Sequence, residues 1–223
     1  EGGMGAVYKA EDTSDGTLVA IKVLNSRVVG NRTAVRRFQK EARMLGEIKS
    51  PFVTNLVEVN KDKGVHFIVM EFVSGVDLQK VLRKQDAMDE RIALSLMADV
   101  ARGLVSVHER GIIHRDIKPA NILLAHDPGE GEFDPKASKI DADVLRRLRV
   151  KVSDFGLARE LDQSESMQMT REGASLGTPV YMSPEQFTGK QVSPASDVYS
   201  MGITLYEMLA GKPPFLSGDI SQL

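Results

Sequence analysis

The hydrophobic period of this chain changes once, near Ser74-Gly75, and that change limits the fold more than any other feature. Before it, Leu18–Leu24 and Phe67–Val73 are β-branched and aliphatic runs, the second interrupted only by Glu71, and both read as strands. Between them Val35, Phe38, Ala42, Leu45 and Ile48 recur at helical spacing, which predicts a helix over Thr33–Ile48. From about Asp77 onward the pattern is mainly helical. Ala93, Leu96, Met97, Val100, Leu104 and Val107 form a long stripe stopped by Gly111. Ser196–Leu209 is apolar nearly all round, the pattern of a helix buried at the centre of a domain. Pro194 precedes it and Gly211-Lys212-Pro213-Pro214 stops it. A strand-rich part with one helix, followed by a helical part, is an α+β architecture.

Composition narrows the function classes. The chain of 223 residues carries 29 Lys+Arg against 31 Asp+Glu, a net charge of −2, which offers no electrostatic footprint for nucleic acid or a membrane surface. There is no cysteine, so disulfides, thiolate metal sites and cysteine nucleophiles are excluded. No apolar run approaches the roughly eighteen residues of a membrane span, and no signal-peptide pattern opens the chain. The segment Ala125–Arg149 contains Asp127-Pro128-Gly129-Glu130-Gly131 and a short helical pattern around Val144, Leu145 and Leu148; it reads as a surface insertion, with a regulatory docking element as the alternative.

Two charges sit where apolar residues are expected. Strand alternation puts Lys22 on one face with Leu18, Ala20 and Leu24. On the following helix, with Phe38 at zero, Leu45, Ile48 and Glu41 fall at roughly −20°, −80° and −60°. Glu41 therefore lies inside the apolar stripe, where a lone charge costs several kcal/mol. Snorkelling to water is the alternative for each alone. Their joint occurrence favours a Lys22–Glu41 pair holding the helix against the sheet.

The opening Gly2-Gly3-Met4-Gly5-Ala6-Val7 has the character of a phosphate loop, since glycine lets backbone N–H groups approach phosphate oxygens. Taken by itself, a glycine-rich hairpin turn is the commoner explanation. Asp116, Lys118 and Asn121 lie within six residues, between the long helix and the apolar Ile122-Leu123-Leu124. An aspartate can accept a hydroxyl proton, a lysine can steady a phosphate in transfer, and an amide oxygen can bind a hard cation. Asp154-Phe155-Gly156 follows another apolar strand and adds a carboxylate beside a turn-forming glycine. A carboxylate and an amide from neighbouring hairpins suit Mg²⁺, which prefers oxygen ligands and keeps its phosphate partners.

In this order the motifs resemble the signature set of the eukaryotic-type protein serine/threonine kinases: the glycine loop, Val19-Ala20-Ile21-Lys22, Glu41, His114-Arg115-Asp116 through Asn121, Asp154-Phe155-Gly156 and Ser183-Pro184-Glu185. The set spans almost the whole chain and is most similar to the bacterial branch. The resemblance implies a bilobal fold, with a small antiparallel-sheet N-lobe over about 1–71, a hinge at 71–74 and a mainly helical, incomplete C-lobe over 75–223. It implies transfer of the γ-phosphate of ATP, with Mg²⁺, to Ser/Thr hydroxyls of protein substrates. Gly2 and Gly5 would cover the phosphates, Val7 and Ala20 would lie above the adenine and Leu123 below it. Met70 matches the gatekeeper, Glu71 to Val73 the hinge that bonds the adenine edge, and Asp77 the ribose-reading position. Lys22, positioned by Glu41, would hold the α- and β-phosphates. Asp116 would accept the substrate proton, Lys118 would contact the γ-phosphate, and Asn121 and Asp154 would hold Mg²⁺. Lys118 and the Gly177–Glu185 stretch resemble serine/threonine rather than tyrosine kinases.

Further expectations follow from the same likeness. Arg115 beside Asp116 goes with activation-loop phosphorylation, expected at Thr170 or Ser175, with Thr178 structural near Asp116. Self-association for autophosphorylation in trans stays open. No nucleic acid or membrane contact is expected of this segment; its location is read as cytoplasmic, with anchoring elsewhere in a longer protein left open. The family's pattern starts before Glu1 and continues past Leu223, so the domain reads as truncated at both ends. The arginine that pairs with the family's glutamate at Glu185 lies in that later part, so an unpaired Glu185 and an unstable isolated piece are expected. A nucleotide-binding pseudokinase scaffold and a small-molecule phosphotransferase of related fold are the alternatives.

Overall fold

The computed structural model describes residues 5–24, 40–85, 87–126, 134, 141–155 and 179–215. These residues form two compact units. One holds the described residues up to Ser50 together with Thr54–Phe72, and the other holds Pro51–Val53, Val73–Phe155 and the described residues from Pro179 onward.

The first unit is a four-stranded antiparallel sheet of β1 (Gly5–Glu11), β2 (Leu18–Leu24), β3 (Leu56–Asp62) and β4 (Val65–Glu71), in the order β1-β2-β4-β3. Lys63 and Gly64 join β3 to β4 with φ of 45° and 87°, the two positive values that a tight two-residue hairpin turn requires. That turn sets the start of β4, so the strand runs from Val65 to Glu71, not from Phe67 to Val73. Helix α1, residues 40–46, accounts for the described part of the expected helix; 33–39 lie outside the described residues. Its apolar stripe is buried as the spacing predicts, at Ala42 and Leu45, with Ile48 beyond its end.

The second unit is built on a three-stranded sheet, β5 (Gly75–Asp77), β6 (Ile122–Ala125) and β7 (Arg149–Val152). Gly75 has φ 154°, and a Cβ there would lie 2.0 Å from the carbonyl oxygen of Leu124, so no other residue fits this pairing. Asp77 then caps α2 (Leu78–Leu82), its carboxylate accepting the N–H of Lys80 at 2.9 Å. The long helix α3 (Glu90–His108) starts at its cap Asp89 and buries the predicted stripe, to which Ile92 and Gly103 are added. Gly103 is small of necessity: a Cβ would stand 2.9 Å from the carbonyl oxygen of Phe52.

Two expectations are corrected in this unit. The segment Ala125–Arg149 is not wholly a surface insertion. Its later part forms α4 (Ala142–Leu145), and Leu145 and Leu148 are buried in the same core as Leu124, Val150 and Met208. Apolar side chains that reach the core remove more free energy from water contact than a loop excursion would. Residues 127–133 and 135–140 lie outside the described residues.

The second correction concerns the last helices, α5 (Pro184–Phe187) and α6 (Pro194–Ala210). Helix α6 begins at its cap Ser193 and ends at Gly211, whose φ is 75°, as expected. Its buried side is mixed and it is not buried all round, however. Ser196, Asp197, Ser200 and Thr204 are buried together with Ile203 and Met208, while Val198 is 54% exposed and Tyr206 48%. The helix is not buried all round because its polar side chains turn inward to hydrogen-bond partners, which removes the cost of burying them.

Candidate active site

In the first unit, Val7 pairs with Lys22 across β1 and β2, and Ala20 pairs with Met70 across β2 and β4. Directly opposed residues share a sheet face, so Val7, Ala20, Lys22 and Met70 lie on one side. Lys22 is half-buried between Val7, which is exposed, and Ile68, which is buried. Its face is thus open at one end, with Leu18 also exposed, in place of the uniformly apolar setting expected. Glu41 lies half-buried on α1 beside the fully buried Ala42. Gly5 opens β1 opposite Leu24, while Gly2 lies outside the described residues. Glu71 closes the sheet: its N–H donates to the Asn55 carbonyl at 2.9 Å, and its carboxylate accepts the Asn55 N–H at 2.9 Å.

In the second unit the residues of 114–121 converge. The Lys118 ammonium donates to Asp116 Oδ2 at 2.9 Å. The amide of Asn121 donates to Asp116 Oδ2 at 3.0 Å and to the Asp116 carbonyl at 2.7 Å. With its NH₂ spent there, Asn121 keeps Oδ1 as its acceptor end. The carbonyl of Asn121 in turn accepts the N–H of Ser153 at 2.9 Å, tying this loop to the residue before Asp154. Asp154 itself has φ 57°. Leu123 on β6 stands opposite Asp77 on β5, and Val73 lies just before that strand. The Asp77 carboxylate, besides capping α2, meets the Lys80 ammonium at 2.8 Å.

The loop is suspended from α6. Asp197 is fully buried, and its carboxylate accepts the backbone N–H groups of His114 and Arg115, each at 2.8 Å, while His108 Nε2 lies 2.7 Å away. These bonds fix the backbone at Arg115, whose φ is 65°. Fully buried His114 accepts the N–H of Asp116 at Nδ1, 3.3 Å, which leaves Nε2–H to donate to the Ser153 carbonyl at 3.0 Å. Its ring leans on Phe155, centroids 4.6 Å apart. Burial holds the His114 imidazole below its ordinary pKa, although Asp197, Asp116, the Ser153 carbonyl and Asp154 all favour the cation.

A 3₁₀ turn at Pro179–Tyr181 leads into α5. The Tyr181 hydroxyl donates to Glu207 Oε2 at 2.5 Å, and Ser200 Oγ donates to the Tyr181 carbonyl at 2.6 Å. Burial raises the pKa of the Glu207 carboxyl, against the pull of the Tyr181 hydroxyl.

The sequence model of the protein kinase domain matches residues 1–222. The chain belongs to that family. A probable serine/threonine-protein kinase of Clostridium perfringens is 37% identical over 98% of this chain and 28% of its own length. A serine/threonine-protein kinase of Corynebacterium efficiens is 38% identical over 99% of this chain and 39% of its own length. The kinase domain thus spans well under half the length of these relatives. Among solved structures, the PknI kinase domain of Mycobacterium tuberculosis superposes with a TM-score of 0.72 at 24% identity, covering 97% of this chain and 73% of that one, which bears on the fold alone.

Within the kinase domain the structure brings Asp116, Lys118 and Asn121 into direct contact, and it sets Val7, Ala20, Lys22 and Met70 on one sheet face. The candidate phosphorylation sites Thr170 and Ser175, with Thr178, lie outside the described residues. Glu185 is not left unpaired as expected: Ser196 Oγ donates to its carboxylate, and that bond lowers its pKa. Asp197, His108 and Gln186 were missed as parts of the site. The signal for Asp197 was present, a charge inside an apolar helix pattern, the same anomaly that singled out Glu41.

Proposed function

We propose that this domain transfers the γ-phosphate of ATP to Ser or Thr hydroxyls of protein substrates. The observation that carries the reading is the Asp116–Lys118–Asn121 cluster, a carboxylate held between an ammonium and an amide on a loop anchored by Asp197. In this reading Asp116 orients the substrate hydroxyl and accepts its proton. The ammonium of Lys118, already at that carboxylate, steadies the phosphoryl group in passage. The serine/threonine class follows the named activity of the curated relatives.

The remaining roles are proposals of the same kind. The first unit is read as an N-lobe over about 1–71, followed by a hinge at 71–74 and a C-lobe over 75–223. Val7, Ala20 and Met70, which share one sheet face, would contact the adenine, as would Leu123, and Asp77 would read the ribose. Glu71 and Val73 would bond the adenine edge through their backbone. Gly2 and Gly5 would cover the phosphates. Lys22 would hold the α- and β-phosphates, paired to Glu41.

The donor set fits Mg²⁺. Asn121 has its amide nitrogen committed to Asp116 and an oxygen end remaining, and Asp154 contributes a carboxylate, both hard ligands. When bound, Mg²⁺ would neutralise charge on the phosphates. No helix among the described residues is long and apolar enough to cross a membrane. Because ATP is the proposed donor, the domain is read as facing the cytoplasm. Encounter of two copies for autophosphorylation in trans belongs to this reading as well.

The test is transfer from ATP with Mg²⁺ to a generic Ser/Thr protein, comparing the parent with Asp116→Ala and Lys22→Met. Transfer should fall at least ~100-fold in both, with phosphate found on serine or threonine. Transfer that survives both substitutions overturns the assignment.

A further inference from the structure

Gln186 has no part in the roles above, yet its amide joins two segments of the second unit. Arg115 sits at φ 65°, a conformation that strains a residue with a Cβ and persists only where the surroundings hold it. Both polar groups of its backbone are held. The N–H donates to Asp197 Oδ1 at 2.8 Å, and the carbonyl accepts Gln186 Nε2–H at 2.8 Å. At its other end Gln186 Oε1 accepts the N–H and the hydroxyl of Ser183, each at 3.2 Å. A reversed amide would face its NH₂ to the Ser183 N–H and its oxygen to the Arg115 carbonyl, so the two contacts fix one orientation.

We infer that Gln186 is a positioning residue for Asp116. The carbonyl it holds belongs to the peptide that links Arg115 to Asp116, so this bond sets the plane from which the Asp116 side chain starts. Asp197 fixes the preceding peptide, while this one is held at its N–H only by the long 3.3 Å bond to His114 Nδ1 and at its carbonyl by Gln186. The same bond makes the loop depend on Pro179–Phe187 being seated, with Val180 and Ser183 buried. Withdrawal of that segment takes Nε2 with it and releases the Arg115 carbonyl. Seating the segment and readying Asp116 are thereby one event. This inference rests on the proposed transfer reaction, in which Asp116 is the base.

Two variants of the purified protein test it. Gln186→Glu keeps an acceptor for Ser183 but sets a carboxylate oxygen against the Arg115 carbonyl. Gln186→Met keeps the bulk and removes all three bonds. The readouts are kcat, KM for ATP and the melting temperature. The expected result is a kcat about tenfold lower in each, with KM for ATP and the melting temperature near the parent values. Should Gln186→Met not fold, Gln186→Glu carries the test. An unchanged kcat in Gln186→Glu overturns the inference. So does a loss of kcat matched by a parallel rise in KM and a collapse of the melt, which marks a merely structural residue. A parent protein with no transfer at all would count against the proposed function instead.

Discussion

The buried carboxylate of Asp197 accepts the backbone N–H of His114 at 2.8 Å across 83 positions of sequence, so the loop carrying Asp116 hangs from α6. Its second oxygen takes the N–H of Arg115, and His108 lies on the first. Removing one partner from such a buried set strands the others without water. Asp197→Ala is expected to cost about 3–5 kcal/mol, read by urea unfolding. Asp197→Asn keeps the shape but replaces one acceptor by a donor that faces a backbone N–H, so it should unfold more easily than the parent and transfer phosphate more slowly. Wild-type stability in Asp197→Ala would contradict this account.

His114 gives the stability a defined pH dependence. Its folded pKa lies below the ordinary 6.5 because burial penalises the cation. On acidification the unfolded chain takes up a proton at His114 before the native state does. The contribution is therefore fully present above pH 6.5 and is lost as pH falls through the folded value, at a slope of up to about 1.4 kcal/mol per pH unit. His66 is shifted the same way by burial and by Lys61, and adds to the slope. In His114→Phe the unfolding free energy measured from pH 6.5 to 5 should fall less steeply than in the parent, with the His66 part retained. Equal slopes would mean that His114 accepts its proton inside the fold.

How much of this was legible in the sequence depends on where each partner lies. The strand Leu18–Leu24 was readable to its ends because its neighbours impose the apolar run. The start of β4 was misread by two residues, since the Lys63-Gly64 turn that sets it carries only one glycine. Asp116, Lys118 and Asn121 were found because chemically informative residues cluster within six positions. Asp197 was passed over although it organises them. Its partners are His108 and two backbone N–H groups, 82 to 89 positions away, and a backbone donor leaves no trace in residue type. The inward polar face of α6 was hidden for the same reason: Ser196 answers Glu185 and Ser200 answers a carbonyl, pairings that no hydropathy scale records.

The later part of Ala125–Arg149 is expected to behave as core. Leu145 is 2% exposed and packs in the cluster that includes Leu124 and Val150. Leu145→Ala should therefore cost about 2–5 kcal/mol, whereas truncating the exposed Arg146 should change stability by less than about 0.5 kcal/mol. The check is a pair of denaturant curves with equal slopes. A Leu145→Ala cost as small as that of Arg146→Ala would restore the surface-insertion reading.

The Tyr181–Glu207 pair joins the turn before α5 to α6 at 2.5 Å, and both groups are half-buried. Burial raises the Glu207 pKa above its ordinary 4.5, and the Tyr181 hydroxyl opposes that shift. Between those two values the native state holds a proton that the unfolded chain has released. The contribution of Glu207 is thus fully present below pH 4.5 and is lost as pH rises through the folded value. Glu207→Gln keeps an acceptor for the hydroxyl and removes the titration, so its advantage over the parent should grow from pH 4.5 toward neutrality. Tyr181→Phe does the opposite. It strips the carboxylate of its donor, raises the Glu207 pKa further and should cost roughly 1–3 kcal/mol at pH 7, less at pH 4.5. Unfolding curves at the two pH values check both, and a Tyr181→Phe cost that is equal or larger at pH 4.5 would show that the hydroxyl does not serve the ionised carboxylate.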